Sequence, residues 1–492
     1  MVEAYLAIDE GTTNCKAVLV DTHGAVLSTG SSRLDLHLPA PGWFEQDGSQ
    51  IIDALGRAIH EAIAGAPTGT RIISVAVANQ RESVLAFDRA TGEPLSAVIG
   101  WQDSRTTDRC AAISTPELRQ MVRERTGLSL DPMYSATKIG WIKDSLESSR
   151  RNRAVIGTID SFLLHHLTGG ATIACDATNA ARTLLLNLKS LEWDHDLLEA
   201  FDISPELLPP VHASGGDFGV TVDFGELSAG TPIKAVLGDS HAALFGQRCE
   251  MPGEGKVTFG TGSSVMVPIS GDSTRHSTVD TTLGYALNGP IFAREGNILS
   301  SGAALDTMAG LLSLDGGAAL TRLAGSVPDS GGIHVVPAFS GLAAPHWDRS
   351  AVGIVTGLGR DTTSGQVARA TLEAVAHQIA DIVDEIRKDD PVTLLRADGG
   401  ASVDPLMMQI QADIIDCPIE TTERAELAAL GAARMAAHSS GRGAEFDSAS
   451  PSLVRYEPRL SAEARARHRD SWADAVARSR GRALPRERIP HV

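Results

Sequence analysis

Two segments of this chain share one order: a strand rich in β-branched residues, a turn of glycine and threonine, and a second strand. They are "YLAIDEGTTNCKAVLVD" from Tyr5 and "KVTFGTGSSVMVPIS" from Lys256. Elsewhere, short β-branched runs alternate with helical stretches, a pattern typical of α/β proteins. At 492 residues the chain also exceeds what one core usually holds. We expect two related halves with a boundary near Gly246, which gives domains at residues 1–246 and 247–492.

The charge balance excludes some classes of partner. The chain has 43 Lys and Arg against 61 Asp and Glu, a formal net charge of -18. Phosphate backbones are bound by clustered Lys and Arg, so we expect no nucleic-acid partner. Glu3 and Asp9 beside a short apolar run are wrong for a signal peptide, and no apolar stretch is long enough to cross a bilayer. We therefore expect a cytoplasmic protein with no membrane partner.

The first Gly/Thr turn has the composition of a polyphosphate site. Small residues let backbone amides approach a phosphate, Thr12 and Thr13 offer hydroxyl donors, and Lys16 supplies positive charge. Asp9, at the end of the first strand, is placed to bind Mg²⁺, usually through water. The alternative is a β-hairpin whose glycine satisfies a positive φ.

Three further glycine turns follow apolar strands or begin helices. They are "FGTGSS" at residues 259–264, "SSGAALD" at residues 300–306 and "ADGGASVDP" at residues 397–405. Each could be structural on its own. Neither GxxxxGK[ST] nor GxGxxG occurs, so a nucleotide cleft built from these turns would be neither a Walker site nor a Rossmann site.

A second group of polar residues lies in the N-terminal half. Arg81 and Glu82 are neighbours that offer donors and acceptors to adjacent hydroxyl groups, or else form an exposed ion pair. Trp101 could wall a small carbon skeleton or pack in a core. Asp239 follows an apolar strand and begins a helix, where it could cap the helix or accept a proton from a hydroxyl during phosphoryl transfer. His241 is a rival base that should point elsewhere.

Taken in order, these motifs resemble the FGGY family of carbohydrate kinases. The resemblance runs through "AIDEGTTNCKAV", "NQRE", "WQDSRT", "DPMYSATKIGW", "GDSHAALFGQ", "FGTGSS", "PAFSGLAAPHWD", "DGGASVDPLMMQIQAD" and "ALGAA". It implies an α/β fold with two actin-like (RNase H-like) ATPase domains flanking a central cleft. It also implies ATP and Mg²⁺ as cofactors, a small polyol or sugar as partner, and assembly as a homodimer or homotetramer.

The resemblance implies a role for each matched position. Asp239 is the expected catalytic base, and Asp9 and Asp239 are the expected metal ligands. The expected substrate-binding residues are Arg81, Glu82, Trp101, Tyr134, Asp239, Ser240 and Ser264. The expected nucleotide-binding residues are Thr12, Thr13, Asn14, Lys16, Gly260, Thr261, Gly262, Gly302, Asp306, Gly400, Ala401 and Asp404.

The implied reaction is phosphorylation of a terminal hydroxyl of glycerol or a related small polyol. Departures from the motifs of the glycerol-specific members concern the substrate: Met133 replaces a tyrosine beside Tyr134, Ser240 replaces a glutamine, and Ser264 replaces a phenylalanine. We therefore expect a roomier, more polar pocket, which keeps a four- or five-carbon polyol or ketose open as the substrate. "NQRE" argues against a ketose kinase. The non-enzyme alternative, a ligand sensor without turnover, predicts loss of residues such as Asp9 and Asp239, which are present.

Overall fold

The structure is a computed structural model that describes residues 2–271, 277–449 and 452–480. Its strands are β1 Val2–Glu10, β2 Asn14–Asp21, β3 Val26–Arg33, β4 Glu45–Gln46, β5 Thr70–Asn79, β6 Val84–Asp88, β7 Val98–Ile99, β8 Ala154–Thr158, β9 Cys175–Asp176, β10 Leu186–Asn187, β11 Glu192–Trp193, β12 Val211–His212, β13 Ile233–Gly238, β14 Glu254–Phe259, β15 Ser263–Pro268, β16 Asp280–Ala286, β17 Pro290–Ile298, β18 His334–Val336, β19 Ile354–Thr356, β20 Leu394–Gly399, β21 Ile419–Thr422 and β22 Leu453–Tyr456.

Helices lie between and over these strands. They are α1 Gly48–Ala64, α2 Thr107–Ile113, α3 Pro116–Thr126, α4 Ser135–Ser145, α5 Ser148–Arg151, α6 Ile159–Leu167, α7 Ala177–Ala180, α8 His195–Ala200, α9 Asp239–Gly246, α10 Gly302–Leu311, α11 Gly316–Ala324, α12 Ser364–Ile386, α13 Pro405–Ile415, α14 Leu427–Ser439, α15 Gly443–Phe446 and α16 Ala462–Ser479. None of the helices in the described ranges is long and apolar enough to cross a membrane.

The first large sheet has five strands in the order β13-β5-β1-β2-β3. The strands β1, β2 and β3 form an antiparallel meander, whereas β5 and β13 are added in parallel with β1. The middle strands are apolar on both faces and buried, because helices cover the sheet on each side. One cover is α1, which begins at the cap Asp47 and buries Ile51, Leu55 and Ile59.

The second large sheet repeats this plan with seven strands in the order β16-β17-β15-β14-β20-β21-β22. Here β14 pairs antiparallel with β15 and parallel with β20, as β1 pairs with β2 and β5. The long helix α12 begins with a capping box of Thr363 and Gln366 and lies mostly in the core. The two segments with the shared strand–turn–strand order are therefore the corresponding hairpins of the two sheets.

One helix of the C-terminal half packs on the first sheet. Apolar residues of α14, among them Leu430 and Met435, share a core with Tyr5 of β1 and Leu237 of β13. At its crossing with α9 a β-carbon on Gly431 would lie 1.8 Å from the carbonyl oxygen of Ala242, so the two backbones touch. The division into residues 1–246 and 247–492 stays a prediction.

Candidate active site

Three parallel strands of the first sheet end at the same edge. In the register of the ladder, Glu10 of β1 faces Asn79 of β5, and Asn79 faces Gly238 of β13. Because the carboxyl ends of parallel strands meet at one edge, the residues that follow each strand converge there. This edge therefore brings together Asp9, Arg81 and Asp239, which lie far apart in the sequence.

Asp239 is the first residue of α9 and keeps 40% of its side chain exposed. Its Oδ1 lies 3.3 Å from Nε of Arg81 and accepts the backbone N–H of Ser240 at 2.5 Å. Burial raises the pKa of Asp239, and the Arg81 guanidinium opposes that rise. The helix cap is Gly238, so the carboxylate remains available for contacts other than capping.

Arg81 and Glu82 turn in different directions. The backbone of Glu82 is left-handed, with a φ of 61°, and its carboxylate accepts a hydrogen bond from Nε of Arg182 at 2.6 Å. Arg81 instead donates through Nη1 to Oε1 of Glu295 at 2.8 Å. The Glu82 side chain is buried, that of Arg81 is 10% exposed, and both are bound to distant partners, so they do not form the exposed ion pair that was one alternative.

Glu295 and Arg182 are site residues that sequence reasoning missed. Glu295 lies on β17 with a fully buried side chain, and its Oε2 is 2.7 Å from Nη1 of Arg182. Burial alone would raise the pKa of Glu295, but Arg182 and Arg81 hold that pKa well below its usual range. The signal available in the sequence was a charged "RE" pair inside an otherwise apolar strand.

Lys256 is a third missed residue. It is fully buried on β14, donates a hydrogen bond to Oγ of Ser240, and donates another to Oγ1 of Thr258 at 3.0 Å. Burial lowers the pKa of Lys256, and the nearby Asp398 carboxylate opposes this. The signal was a lysine in the middle of a buried strand that leads into a glycine turn.

Ser240 and Ser264, two of the expected substrate-binding residues, lie next to each other. Their Oγ atoms are 3.2 Å apart, although 24 positions separate them in the chain. Ser264 also donates to Oε1 of Glu295 at 3.3 Å. A chain of polar contacts therefore connects Asp239, through Arg81 and Glu295, to Ser264.

The two aromatic residues of the expected substrate set lie in different surroundings. Trp101 is half-buried, and its Nε1 donates to Oγ1 of Thr12 at 3.1 Å, so it lies against the first glycine turn. Tyr134 is fully buried: its hydroxyl donates to Asp280, and the Arg182 guanidinium lies 5.0 Å from its ring centre. Tyr134 thus packs its ring against the Arg182 guanidinium.

The first glycine turn closes the hairpin between β1 and β2. The amide of Gly11 donates to the carbonyl of Asn14 at 3.0 Å, and the side chain of Asn14 donates to Oγ1 of Thr13 at 3.2 Å. Asp9 and Lys16 face each other across the ladder. Nζ of Lys16 forms an ion pair of 2.7 Å with Glu426, just before α14.

The surroundings of Asp9 strongly shift the pKa of its carboxyl group. Burial and the negative charge of Asp239 together raise the pKa of Asp9 to about 7, while Lys16 opposes them. Two carboxylates that disfavour each other's charge form a place where a cation is favourable. The described residues contain no cluster of three or more His, Cys, Asp and Glu side chains that could hold a metal.

The turns of the second sheet lie next to one another. Phe259 at the end of β14 faces Gly399 at the end of β20, so the loops after them run side by side. Amides at the start of α10 bond to the first loop: Gly302 N–H donates to the Gly260 carbonyl at 3.0 Å, and Ala303 N–H donates to the Thr261 carbonyl at 3.0 Å.

The glycines of these loops differ in what surrounds them. A β-carbon on Gly302 would lie 2.6 Å from the Gly260 oxygen, and one on Gly262 would lie 2.4 Å from the Ile298 oxygen, so both allow close packing. Gly400, in contrast, has open space where a β-carbon would be, beside the partly buried Ala401. The surface at Gly400 is thus open to a ligand.

The expected nucleotide-binding carboxylates have structural partners. Asp404 caps α13 by accepting the Met407 N–H at 3.0 Å, and Asp306 on α10 accepts the Gly317 N–H at 3.0 Å. The second sheet is joined to α9 where Nε2 of Gln247 donates to Asp398 at 2.6 Å. Helix α9 therefore starts at the edge of the first sheet and contacts the second sheet at its other end.

Two family models cover most of the chain. Residues 4–246 match the N-terminal domain of the FGGY family of carbohydrate kinases, and residues 255–440 match its C-terminal domain. The chain belongs to the FGGY family of carbohydrate kinases. This membership confirms the prediction from the sequence motifs and the prediction that the chain is an ATP-dependent kinase.

Individual FGGY kinases are similar over the full length. The glycerol kinase of Alkalilimnicola ehrlichii is 39% identical over 494 residues, covering 98% of this chain and 99% of that protein. The glycerol kinase of Citrifermentans bemidjiense is 40% identical over 501 residues, again covering 98% and 99%. The crystal structure of Plasmodium falciparum glycerol kinase with ADP matches with a TM-score of 0.89 at 27% identity, covering 97% of this chain and 98% of that one. The predicted two-domain α/β fold is confirmed.

Proposed function

We propose that this FGGY kinase transfers the γ-phosphoryl group of ATP to a terminal hydroxyl of glycerol or a related small polyol. The full-length similarity to glycerol kinases supports this substrate class. The observation on which the proposal rests is the partly exposed Asp239 carboxylate, placed at the edge of the first sheet beside Arg81, which also binds Glu295 of the second sheet.

Asp239 is the proton acceptor in this proposal. The terminal hydroxyl oxygen forms a bond to the γ-phosphorus, the bond from that phosphorus to the bridging oxygen breaks, and ADP leaves. The hydroxyl proton passes to the Asp239 carboxylate. Arg81 and Glu82 hold the neighbouring hydroxyls, and Trp101 bounds the carbon chain. Phosphoryl transfer is largely a matter of alignment and charge stabilisation, so rigid placement matters more than a strong base.

The carboxylates Asp9 and Asp239 fit a Mg²⁺ ion. This ion usually binds through one or two carboxylates together with substrate phosphates and water, which suits a pair of mutually destabilised carboxylates. When bound, Mg²⁺ would neutralise charge on the phosphate oxygens. We assign the triphosphate and nucleoside to these residues: Thr12, Thr13, Asn14, Lys16, Gly260, Thr261, Gly262, Gly302, Asp306, Gly400, Ala401 and Asp404.

Lys16 has to change partner for this assignment to work. Its ion pair with Glu426 occupies the ammonium group in this structure. A triphosphate beside Thr12 and Thr13 would compete with Glu426 for the positive charge of Lys16.

Assembly as a homodimer or homotetramer stays a prediction, which gel filtration would test. The cytoplasmic location also stays a prediction, which cell fractionation would test.

The test is magnesium-dependent ADP release with glycerol and larger polyols. The wild-type enzyme should turn over at least one of them, and Asp239→Asn should lower kcat by about 10²–10⁴-fold, the usual contribution of a general base. Asp361→Asn, at an exposed aspartate, is the control and should keep full activity. If no polyol stimulates ADP release by the wild-type enzyme, the proposed substrate class is wrong.

A further inference from the structure

Four side chains beside Asp239 form a continuous row, here named the serine relay: Lys256, Ser240, Ser264 and Glu295. Lys256 hydrogen-bonds to Oγ of Ser240, whose Oγ is 3.2 Å from that of Ser264, which in turn is 3.3 Å from Oε1 of Glu295. The two charged ends are fully buried, whereas Ser264 is partly exposed. The relay therefore presents its middle, not its ends, to a ligand.

The charged ends determine which way the hydroxyl protons point. An ammonium group can only donate hydrogen bonds, and an ionised carboxylate can only accept them. Arg182 and Arg81 hold Glu295 ionised by keeping its pKa well below the usual range despite burial. Ser264 must therefore donate to Glu295, and Ser240 must donate to Ser264 while it accepts from Lys256.

With the hydrogen bonds in this direction, each serine hydroxyl can accept one more hydrogen bond but cannot donate another. A hydroxyl has one proton and two lone pairs. In the relay the proton and one lone pair of each serine are already used. The partly exposed Ser264 thus offers a lone pair and no proton, which makes it an acceptor for a ligand group that donates.

We propose that Ser264, oriented by Glu295, accepts a hydrogen bond from a substrate hydroxyl beyond the three of glycerol, so that the preferred acceptor is a four- or five-carbon sugar alcohol. This inference rests on the proposed function, in which one hydroxyl reacts at Asp239 and Arg81 and Glu82 bind its neighbours. With the three hydroxyls of glycerol engaged in this way, the hydroxyl that donates to Ser264 is a fourth one.

The same geometry discriminates against ketoses of equal length. A carbonyl oxygen in this place has no proton to donate and would face the Ser264 lone pair. It would lose its hydrogen bonds to water without replacing them, which is costly. The relay therefore favours a sugar alcohol over the corresponding ketose.

The first test compares kcat/KM for erythritol and xylitol with that for glycerol, erythrulose and xylulose. We expect the wild-type enzyme to prefer the longer alcohols. Ser264→Ala should lower the ratio of kcat/KM for these alcohols to that for glycerol by about three- to ten-fold, the value of one neutral hydrogen bond. Ser263→Ala is the matched control, because this buried neighbour points to the other face of β15 and should leave the ratio unchanged.

The second test changes the direction of the relay. In Glu295→Gln a carboxamide can donate as well as accept, so the Ser264 hydroxyl can rotate and donate to a carbonyl. The ratio of kcat/KM for ketose to that for alcohol should rise, and ratios within one preparation are independent of the folded fraction. If Glu295→Gln does not fold, the Ser264→Ala ratio decides.

The outcomes separate this inference from the proposed function. A wild-type enzyme that turns over glycerol best, or whose longer-alcohol ratio is the same in Ser264→Ala, overturns the inference and leaves the polyol kinase assignment standing. An enzyme that prefers a ketose overturns it as well. An enzyme that phosphorylates no polyol overturns both.

Discussion

Single charged residues of this protein have their protonation set by burial and by neighbours, so chemically identical groups behave in opposite ways. Asp9 and Glu295 both lie in the site. Burial and the charge of Asp239 raise the pKa of Asp9 to about 7. Arg182 and Arg81, in contrast, lower the pKa of Glu295. Asp176 is a structural example. It is fully buried, caps α7, and hydrogen-bonds to Thr178, whose Oγ1 accepts the Gly238 N–H at 2.9 Å.

Asp176 should make stability depend on pH. Burial, with the nearby Asp160 carboxylate, raises the pKa of Asp176 to about 7 in the folded protein, against about 3.9 in an unfolded chain. Between these values the folded state binds a proton that the unfolded state does not, so wild-type stability falls as pH rises. Asn cannot ionise, so Asp176→Asn should gain on the wild type by about 1.4 kcal/mol per pH unit in this window.

Differential scanning calorimetry from pH 5 to pH 8 measures this difference as a shift in Tm. The gain of the variant should grow up to about pH 7 and stay constant above it. Asp217→Asn, at an exposed side chain, is the control and should show no such trend. A Tm difference that is constant from pH 5 to pH 8 would contradict the raised pKa.

Among the elements, α9 has the largest influence on the site because its first residue is Asp239 and its last turn reaches the second sheet. Its position depends on α14, which crosses it with almost no space between the backbones. The approach requires glycine on both helices: a β-carbon on Gly246 would lie 2.5 Å from the Leu427 oxygen, and one on Gly431 would meet the Ala242 oxygen. Small residues at a helix crossing thus determine the position of the proposed catalytic carboxylate.

Gly431→Ala should therefore cost both stability and activity. The added methyl group meets backbone atoms that cannot rotate away, so the helices must separate, at a cost of about 1–3 kcal/mol typical of overpacking. Displacement of α9 moves Asp239, and kcat should fall with Tm. The measurement is thermal unfolding together with ADP release.

Gly310→Ala is the matched control, because it lies in the last turn of α10 with open space where its β-carbon would be. Alanine is the better helix former there, so this variant should gain about 0.5–1 kcal/mol and keep its activity. Equal stability of the two variants would show that the α9–α14 crossing relaxes freely.

In the whole molecule, ion pairs join the two halves at several depths. Arg81 and Arg182 of the first half bind Glu295 of the second, and Arg123 lies 3.0 Å from Asp280. Nearer the surface, Arg349 binds Asp131 at 2.8 Å. The proposed substrate lies against the first half and the proposed nucleotide against both, so each ligand should stabilise the arrangement that the other needs.

Binding of polyol and nucleotide should therefore be cooperative. A saturating polyol should lower the Kd of a non-hydrolysable ATP analogue with Mg²⁺ by about five-fold or more, the common scale of such coupling. Isothermal titration calorimetry with and without the polyol measures it. In Arg81→Ala, where polyol binding is lost, the two Kd values should coincide. Equal Kd values in the wild-type enzyme would mean that the two sites bind independently.

The amino-acid sequence was sufficient to predict the α/β class, the repeated strand–turn–strand hairpins and the positions of the glycine turns. It also indicated that Asp9, Arg81 and Asp239 belong to one site, through their order in family motifs. These features depend on local periodicity and on turn chemistry, which a linear pattern records. The family prediction and the two-domain fold prediction depended on the order of the family motifs, and both are confirmed.

The partners of the buried charges, in contrast, could be identified only from the three-dimensional structure. The sequence suggested that Arg81 and Glu82 act as a pair, but the left-handed backbone of Glu82 sends them to Glu295 and Arg182, more than 90 positions away. The sequence also did not predict that Lys256 belongs to the site, because a single lysine in an apolar strand carries no local pattern that identifies its partners. Electrostatic and steric contacts between distant segments depend on three-dimensional proximity, which local sequence patterns do not encode.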